Sequence, residues 1–272
     1  MSTDKASDRA TAFHALHRAD TALVLPNAWD VASALLVERA GAAAVATTSA
    51  GVAWSLGAPD GDALDRDRAV DVVARIASAV TVPVTADIES GFAPTADGVG
   101  DTVRQVVAAG AVGVNIEDGA GPGLRDTAEA AERIAAARAA AGDLFINARV
   151  DTYLRSVGEP AGRLAETLAR AEAYLAAGAN GVFVPGVVDQ ATIQALVAGI
   201  DAPLNVLAGP GAPSTGELSA LGVARVSVGG VIALAAYTVA DRVAKELLTA
   251  GTYTSVGTTL GYGELNALLA NS

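Results

Sequence analysis

The chain contains no cysteine. Disulfides, thiolate nucleophiles and cysteine-ligated zinc or iron–sulfur centres are therefore excluded. Histidine is almost as scarce: His14 and His17 are the only two, both near the start. The two lysines, Lys5 and Lys245, stand near opposite ends. A site in the middle of the chain has neither imidazole nor lysine amine at hand. Ser–His–Asp catalysis, histidine-held metals and Schiff-base chemistry are poor candidates for it. Long apolar runs are also missing. Gly, Pro or charge interrupts each one before the roughly 20 residues that a membrane span needs. The first twenty residues are polar, with no apolar run of signal-peptide length. The expectation is a soluble cytoplasmic protein with no membrane partner. Basic side chains are outnumbered 18 to 30, for a formal net charge of −12, which argues against a nucleic acid partner.

What is present points to an α/β chain. At 272 residues with 51% hydrophobic content, the protein can bury a sizeable core and is not disordered. Eight short β-branched runs read as strands: Ala22–Pro26, Ala43–Thr48, Val82–Asp87, Val112–Glu117, Leu144–Arg149, Gly181–Pro185, Leu204–Leu207 and Ala224–Val228. Ala-rich amphipathic stretches follow them, from Trp29–Ala40 to Val231–Ala250. Several end at a glycine in the position of a helix C′ residue: Gly41, Gly110, Gly142, Gly178, Gly222 and Gly251. Ala-Gly-Ala recurs at 40–42, 109–111 and 177–179, each time just before a strand. Eight βα units in about 250 residues match a single (β/α)8 TIM barrel. The expected domain is 1–272, with an N-terminal helix at about 5–19 and a C-terminal tail at about 252–272. An open doubly wound sheet is the alternative, but no G-x-G-x-x-G follows a strand.

In a barrel of this kind the active site lies at the C-terminal ends of the strands. Here those ends carry Thr47-Thr48-Ser49, Asp87-Ile88-Glu89, Asn115-Ile116-Glu117-Asp118 and Asn147-Ala148-Arg149-Val150-Asp151. Asp60 lies in the loop after the second strand. Asp87 and Glu89 are two apart, so an extended segment points both to one side. Like charges so placed are costly without a cation between them. With Glu117 and Asp60 they form an oxygen-rich nest suited to Mg²⁺ or Mn²⁺. Arg149 follows an apolar run and is expected at the mouth. It either pairs with Asp151 or Glu117, or holds a substrate carboxylate in its planar fork. Gly229-Gly230 is most simply a strand–helix turn, and the two histidines are assigned surface or packing roles.

LPNAWDVASA (25–34), the Thr48-Ser49-Ala50 turn followed by Gly57-Ala58-Pro59-Asp60, DIESGF (87–92), NIEDG (115–119), ARVD (148–151) and VFVPG (182–186) occur in order. This set resembles the isocitrate lyase/phosphoenolpyruvate mutase superfamily, over about residues 23–235. The resemblance implies a barrel whose eighth helix is swapped between subunits of a homodimer or homotetramer. It implies Mg²⁺ held largely through water by Asp60, Asp87, Glu89 and Glu117, with Asp87 the direct ligand. It implies a small 2-oxo acid substrate bound by Thr48, Ser49, Ala50, Asp87 and Arg149, with Arg149, Glu117 and Thr48 in catalytic roles. A C–C or P–C bond would be made or broken beside a metal-stabilised enolate. Two departures narrow this. Lyases of the family use a lid cysteine, absent here, and the phosphonate enzymes carry Lys after the Glu-Asp pair, where this chain has Gly119. Decarboxylation or retro-aldol cleavage of a 2-oxo (di)carboxylic acid is then favoured. The alternatives are a non-catalytic 2-oxo acid binder and phosphonopyruvate-type chemistry. A sugar-phosphate barrel is the weakest reading. The Gly-rich stretch 119–126 is the candidate lid.

Overall fold

The computed structural model describes residues 3–257 and 259–270. All eight expected strands are present: Leu23–Leu25, Val45–Thr47, Val84–Asp87, Gly113–Glu117, Phe145–Arg149, Gly181–Val184, Leu204–Leu207 and Arg225–Ser227. They are paired in parallel in chain order. Leu23–Leu25 pairs with Arg225–Ser227, while Asn27–Ala28 pairs with Ala46–Thr47. Both pieces belong to the first strand, parted at Pro26, which has no N–H to give a ladder. That strand joins the last strand to the second and makes the sheet a nearly closed α/β barrel.

The helices between the strands start and stop where local chemistry directs. Asp65, Thr95, Asp126, Asp189 and Ser214 each cap a helix N-terminus with a side-chain oxygen. The Ala-Gly-Ala joints place Gly41, Gly110 and Gly178 at φ 97°, 102° and 107°, the left-handed turn that ends a helix before a strand. Gly142 does not adopt that conformation.

The main apolar core lies between the barrel wall and the helices. Val114, Ile116, Ile146, Val184 and Val206 meet Val103, Ile134, Ile193, Leu196 and Leu218. The barrel interior is unusually polar. Asn147 donates to Asn115 at 2.9 Å, and the fully buried Arg225 donates to Asn115 at 3.3 Å. The N-terminal helix Thr3–Leu16 supplies the floor. Phe13 joins Leu25 and Phe145 there, and buried His17 stacks on Phe145 at 3.8 Å. His14 is half-buried and reaches the Asp143 carbonyl.

Three elements go beyond the eight-unit reading. Ser49–Ser55 is a short helix after the second strand, and Gly119–Ala120 pairs antiparallel with Gly123–Leu124. The C-terminal segment folds into the turn Thr254–Val256 and the helix Tyr262–Ala270, whose Glu264 pairs with Arg39 at 2.6 Å. The helix after the eighth strand, Val231–Thr249, is exposed along almost its whole length, and only Ala233 is buried. No described helix is long and apolar enough to cross a membrane.

Candidate active site

Strand register assembles the site. Parallel pairing sets Asp87 beside Asn115, and Glu117 beside Arg149. The third, fourth and fifth strands thus deliver their polar ends to one mouth. The second strand ends at Thr47, whose hydroxyl accepts from the Asp87 amide at 2.9 Å and fixes where that residue stands.

Asp87 is the meeting point. One carboxylate oxygen accepts from the Ser49 hydroxyl at 2.9 Å and the Ser49 amide at 3.3 Å. Thr48 occupies the N-cap of the helix Ser49–Ser55, yet its hydroxyl makes no capping bond. The first-turn amides of Ala50 and Gly51 have no intrahelical acceptor, as at any helix start. The turn named from the sequence thus presents N–H groups beside Asp87.

Glu89 arrives by another route than the one expected. The strand stops at Asp87, and Glu89 is in a left-handed turn with φ 50°. Strand alternation therefore does not align it with Asp87. One of its oxygens accepts from the Asp62 amide, and the other is buried with no partner. Burial pushes its pKa up to about 7. The Asp62 amide opposes this, while the charges of Asp62, Asp60 and Asp87 add to it. Asp60 lies on the rim. Partial burial of its carboxyl, then the charge of Asp87, raise its pKa.

Arg149 bridges two acids. Nε and Nη2 hold Asp151 at 2.6 and 3.0 Å, and Nη1 meets Glu117 at 2.6 Å. The fork assigned to a substrate carboxylate is thus closed on Asp151 in this structure. Burial alone would lower the Arg149 pKa, but Glu117 and Asp151 outweigh it and raise it. Burial also raises Glu117 to about 8, although Arg149 pulls it down. Asp118, next in the motif, is structural. It is buried and accepts from Tyr174 at 2.8 Å, the Asp151 amide at 2.9 Å and Arg170 at 3.2 Å.

The sequence reading overlooked Arg155, Asp62 and Ser90. Arg155 lies one helical turn after Asp151, a spacing that hints at pairing, and it contacts both Asp151 and Glu117. Asp62 accepts from Ser90 at 2.6 Å and so ties the Asp60 loop to the strand end. Arg125 also reaches Ser90, at 3.3 Å. Gly229-Gly230 is a turn: the amides of Val228 and Gly229 both go to the Asn27 side-chain oxygen, at 2.9 and 2.8 Å.

The donor chemistry fits a hard cation. The side chains offered as ligands there are carboxylates and hydroxyls, and the orphaned Glu89 oxygen lacks the partner that a buried acceptor requires. Among the described residues, no three acidic or histidine side chains close up enough to grip an ion directly. An ion here would keep much of its water, as Mg²⁺ commonly does.

Comparison with known proteins shows the family. The family model for phosphoenolpyruvate phosphomutase matches residues 13–248. The chain belongs to that family. A Mycobacterium tuberculosis protein of uncharacterized function is 42% identical over 220 residues, covering 80% of this chain and 82% of the relative. A candidate lyase/mutase from Burkholderia cenocepacia superposes with a TM-score of 0.91 at 40% identity, covering 98% of each chain. A phosphonopyruvate hydrolase, solved with oxalate and Mg²⁺, superposes with a TM-score of 0.84 at 26% identity, covering 97% of this chain and 95% of its own. The superfamily's members are Mg-dependent lyases and mutases of oxo acids.

Proposed function

We propose that this family member is a Mg²⁺-dependent lyase that cleaves a C–C bond in a small 2-oxo (di)carboxylic acid, by decarboxylation or retro-aldol cleavage. Mn²⁺ is a workable substitute. The observation that carries the reading is the convergence on Asp87: the hydroxyl and amide of Ser49 meet a ring of acids there, with Arg149 alongside. A divalent cation bound there would stabilise negative charge as it develops on the substrate. The residues supply the rest. The first-turn amides of Ala50 and Gly51 suit a substrate carboxylate. Arg149, held rigid by Asp151, offers fixed positive charge facing the same mouth. Asp60, Asp87, Glu89 and Glu117 are the oxygens that would hold the ion's water shell. Decarboxylation asks for no strong acid in the loop above, which fits a hairpin built of Gly, Ala, Pro and Leu.

We also propose that the helix Val231–Thr249 packs on a second copy of the chain in a homodimer or homotetramer. Its support is the row of exposed apolar residues on it, among them Leu234, Tyr237, Leu247 and Leu248. The same bare hairpin favours one competing reading, a non-catalytic binder of a 2-oxo acid.

The test is a panel of 2-oxo acids and their C–C adducts offered to metal-stripped protein, with and without Mg²⁺, followed by mass spectrometry and thermal shift. Turnover only with Mg²⁺ is expected. Stabilisation without product would favour the binder, and no response to either would reject the site.

A further inference from the structure

Glu117, Asp151, Arg149 and Arg155 form a closed square of alternating charge. Each arginine touches both acids. The two arginines are not equivalent. Arg149 spends its fork on Asp151 and holds Glu117 at 2.6 Å. Arg155 makes a single bond to Asp151 at 3.0 Å and a longer contact to Glu117 at 3.3 Å. Its side chain is 25% exposed, against 15% for Arg149. Asp151 is already held on two sides by Arg149, so Arg155 is not needed to neutralise it.

Its position is specific. The Arg155 guanidinium occupies the space where a Cβ on residue 119 would stand. Gly119, directly after the Glu117-Asp118 pair, leaves that space open. Arg155 also donates to the Gly121 carbonyl at 2.6 Å, so it lies between the mouth and the hairpin above it. Other cations are remote or engaged. Lysine is absent from residues 6–244. Arg125 pairs with Glu129 at 2.8 Å and reaches Ser90 at 3.3 Å.

We propose that Arg155 recognises the distal carboxylate of the substrate and makes this a site for 2-oxo dicarboxylic acids over monocarboxylic ones. This rests on the 2-oxo acid reading above. A carboxylate entering beneath the hairpin replaces the long Glu117 contact with a charge-assisted pair, while Asp151 and Gly121 hold the guanidinium in place.

The test measures affinity for pyruvate, oxaloacetate and 2-oxoglutarate with Mg²⁺ present, as a dissociation constant for an acid that is not turned over and as KM for one that is. The proteins are the wild type and the Arg155→Gln, Arg155→Lys and Gly119→Ala variants. The wild type is expected to bind at least one diacid more tightly than pyruvate. Arg155→Gln should weaken that diacid by about tenfold to a hundredfold, the range for losing a bond to a charged group, and pyruvate by less than about twofold. Arg155→Lys should fall between, because it keeps the charge without the fork. Gly119→Ala leaves Arg155 intact but pushes its guanidinium aside. It should show the same selective loss in smaller measure, and it carries the test if Arg155→Gln does not fold. Equal weakening of pyruvate and diacid makes Arg155 a support for Glu117 and overturns the proposal alone, as does a wild type without preference for diacids. A wild type that binds none of the three overturns the 2-oxo acid reading and this proposal together.

Discussion

At Asp87, two donors from one residue converge on one oxygen, and both come from a helix that begins 38 positions earlier in the chain. Asp87→Ala should abolish Mg²⁺-dependent turnover while the circular dichroism spectrum stays native. Retained activity would remove Asp87 from the site. Arg149→Lys breaks the two-point grip on buried Asp151, and Lys cannot replace the planar fork. It is expected to cost about 1–3 kcal/mol of stability, in the range for a disturbed bond to a charged group, and to raise KM. Wild-type melting and kinetics would reject a role for the fork. Glu89 yields a pH prediction. Its folded pKa of about 7 lies above the ordinary 4.5, so the folded state binds that proton more tightly. The contribution is complete below about 4.5 and is lost as pH rises through about 7. Metal-free Glu89→Gln should therefore lose less melting temperature than the wild type between pH 5 and 8, and Mg²⁺ should restore the wild type at pH 8. Parallel curves in EDTA would contradict this.

Among elements, the N-terminal helix is as much part of the barrel as the strands. Phe13 is fully buried in its floor, edge-on to Phe145 at 5.6 Å and to His17 at 4.7 Å. Burial, then the charge of Arg225, lower His17 to about 3, so it packs there as a neutral ring. Phe13→Ala should cost about 3–5 kcal/mol, the usual figure for emptying a buried aromatic site, with no direct effect on substrate affinity. Chemical denaturation measures the first and KM the second. The hairpin at 119–124 plays the opposite part. It has little apolar substance of its own and is held from outside by Arg155 and by Arg125, whose amide bonds to Asp118.

For the whole molecule, the exposed helix Val231–Thr249 dominates. Leu234 is 56% and Leu248 85% exposed, with more apolar residues between them. So many large apolar side chains left exposed on one helix point to an interaction face. The expected state in solution is a dimer or tetramer by analytical ultracentrifugation. The double change Leu234→Asp and Leu248→Asp should shift it towards monomer and lower the melting temperature. A monomeric wild type would reject the assembly.

How much of this was legible beforehand follows from the range over which each signal acts. β-branched runs, cap residues and Ala-Gly-Ala joints report on burial and turns within a few residues, so the eight strands and their helices could be read almost to their ends. Because a parallel barrel brings its strand ends together, Asp87, Glu117 and Arg149 could be named from position alone. The helix Ser49–Ser55 escaped because seven residues are too few to display a period. Glu89 was placed on the wrong geometric argument, since nothing local announces the left-handed turn that ends the strand. Arg155 resting on Gly119, the closure of Arg149 on Asp151, and Arg225 reaching Asn115 inside the barrel belong to the tertiary structure. Such contacts depend on strand register and on which side chain fills which gap. A chain's local pattern determines which faces are buried, but only packing decides which charges meet.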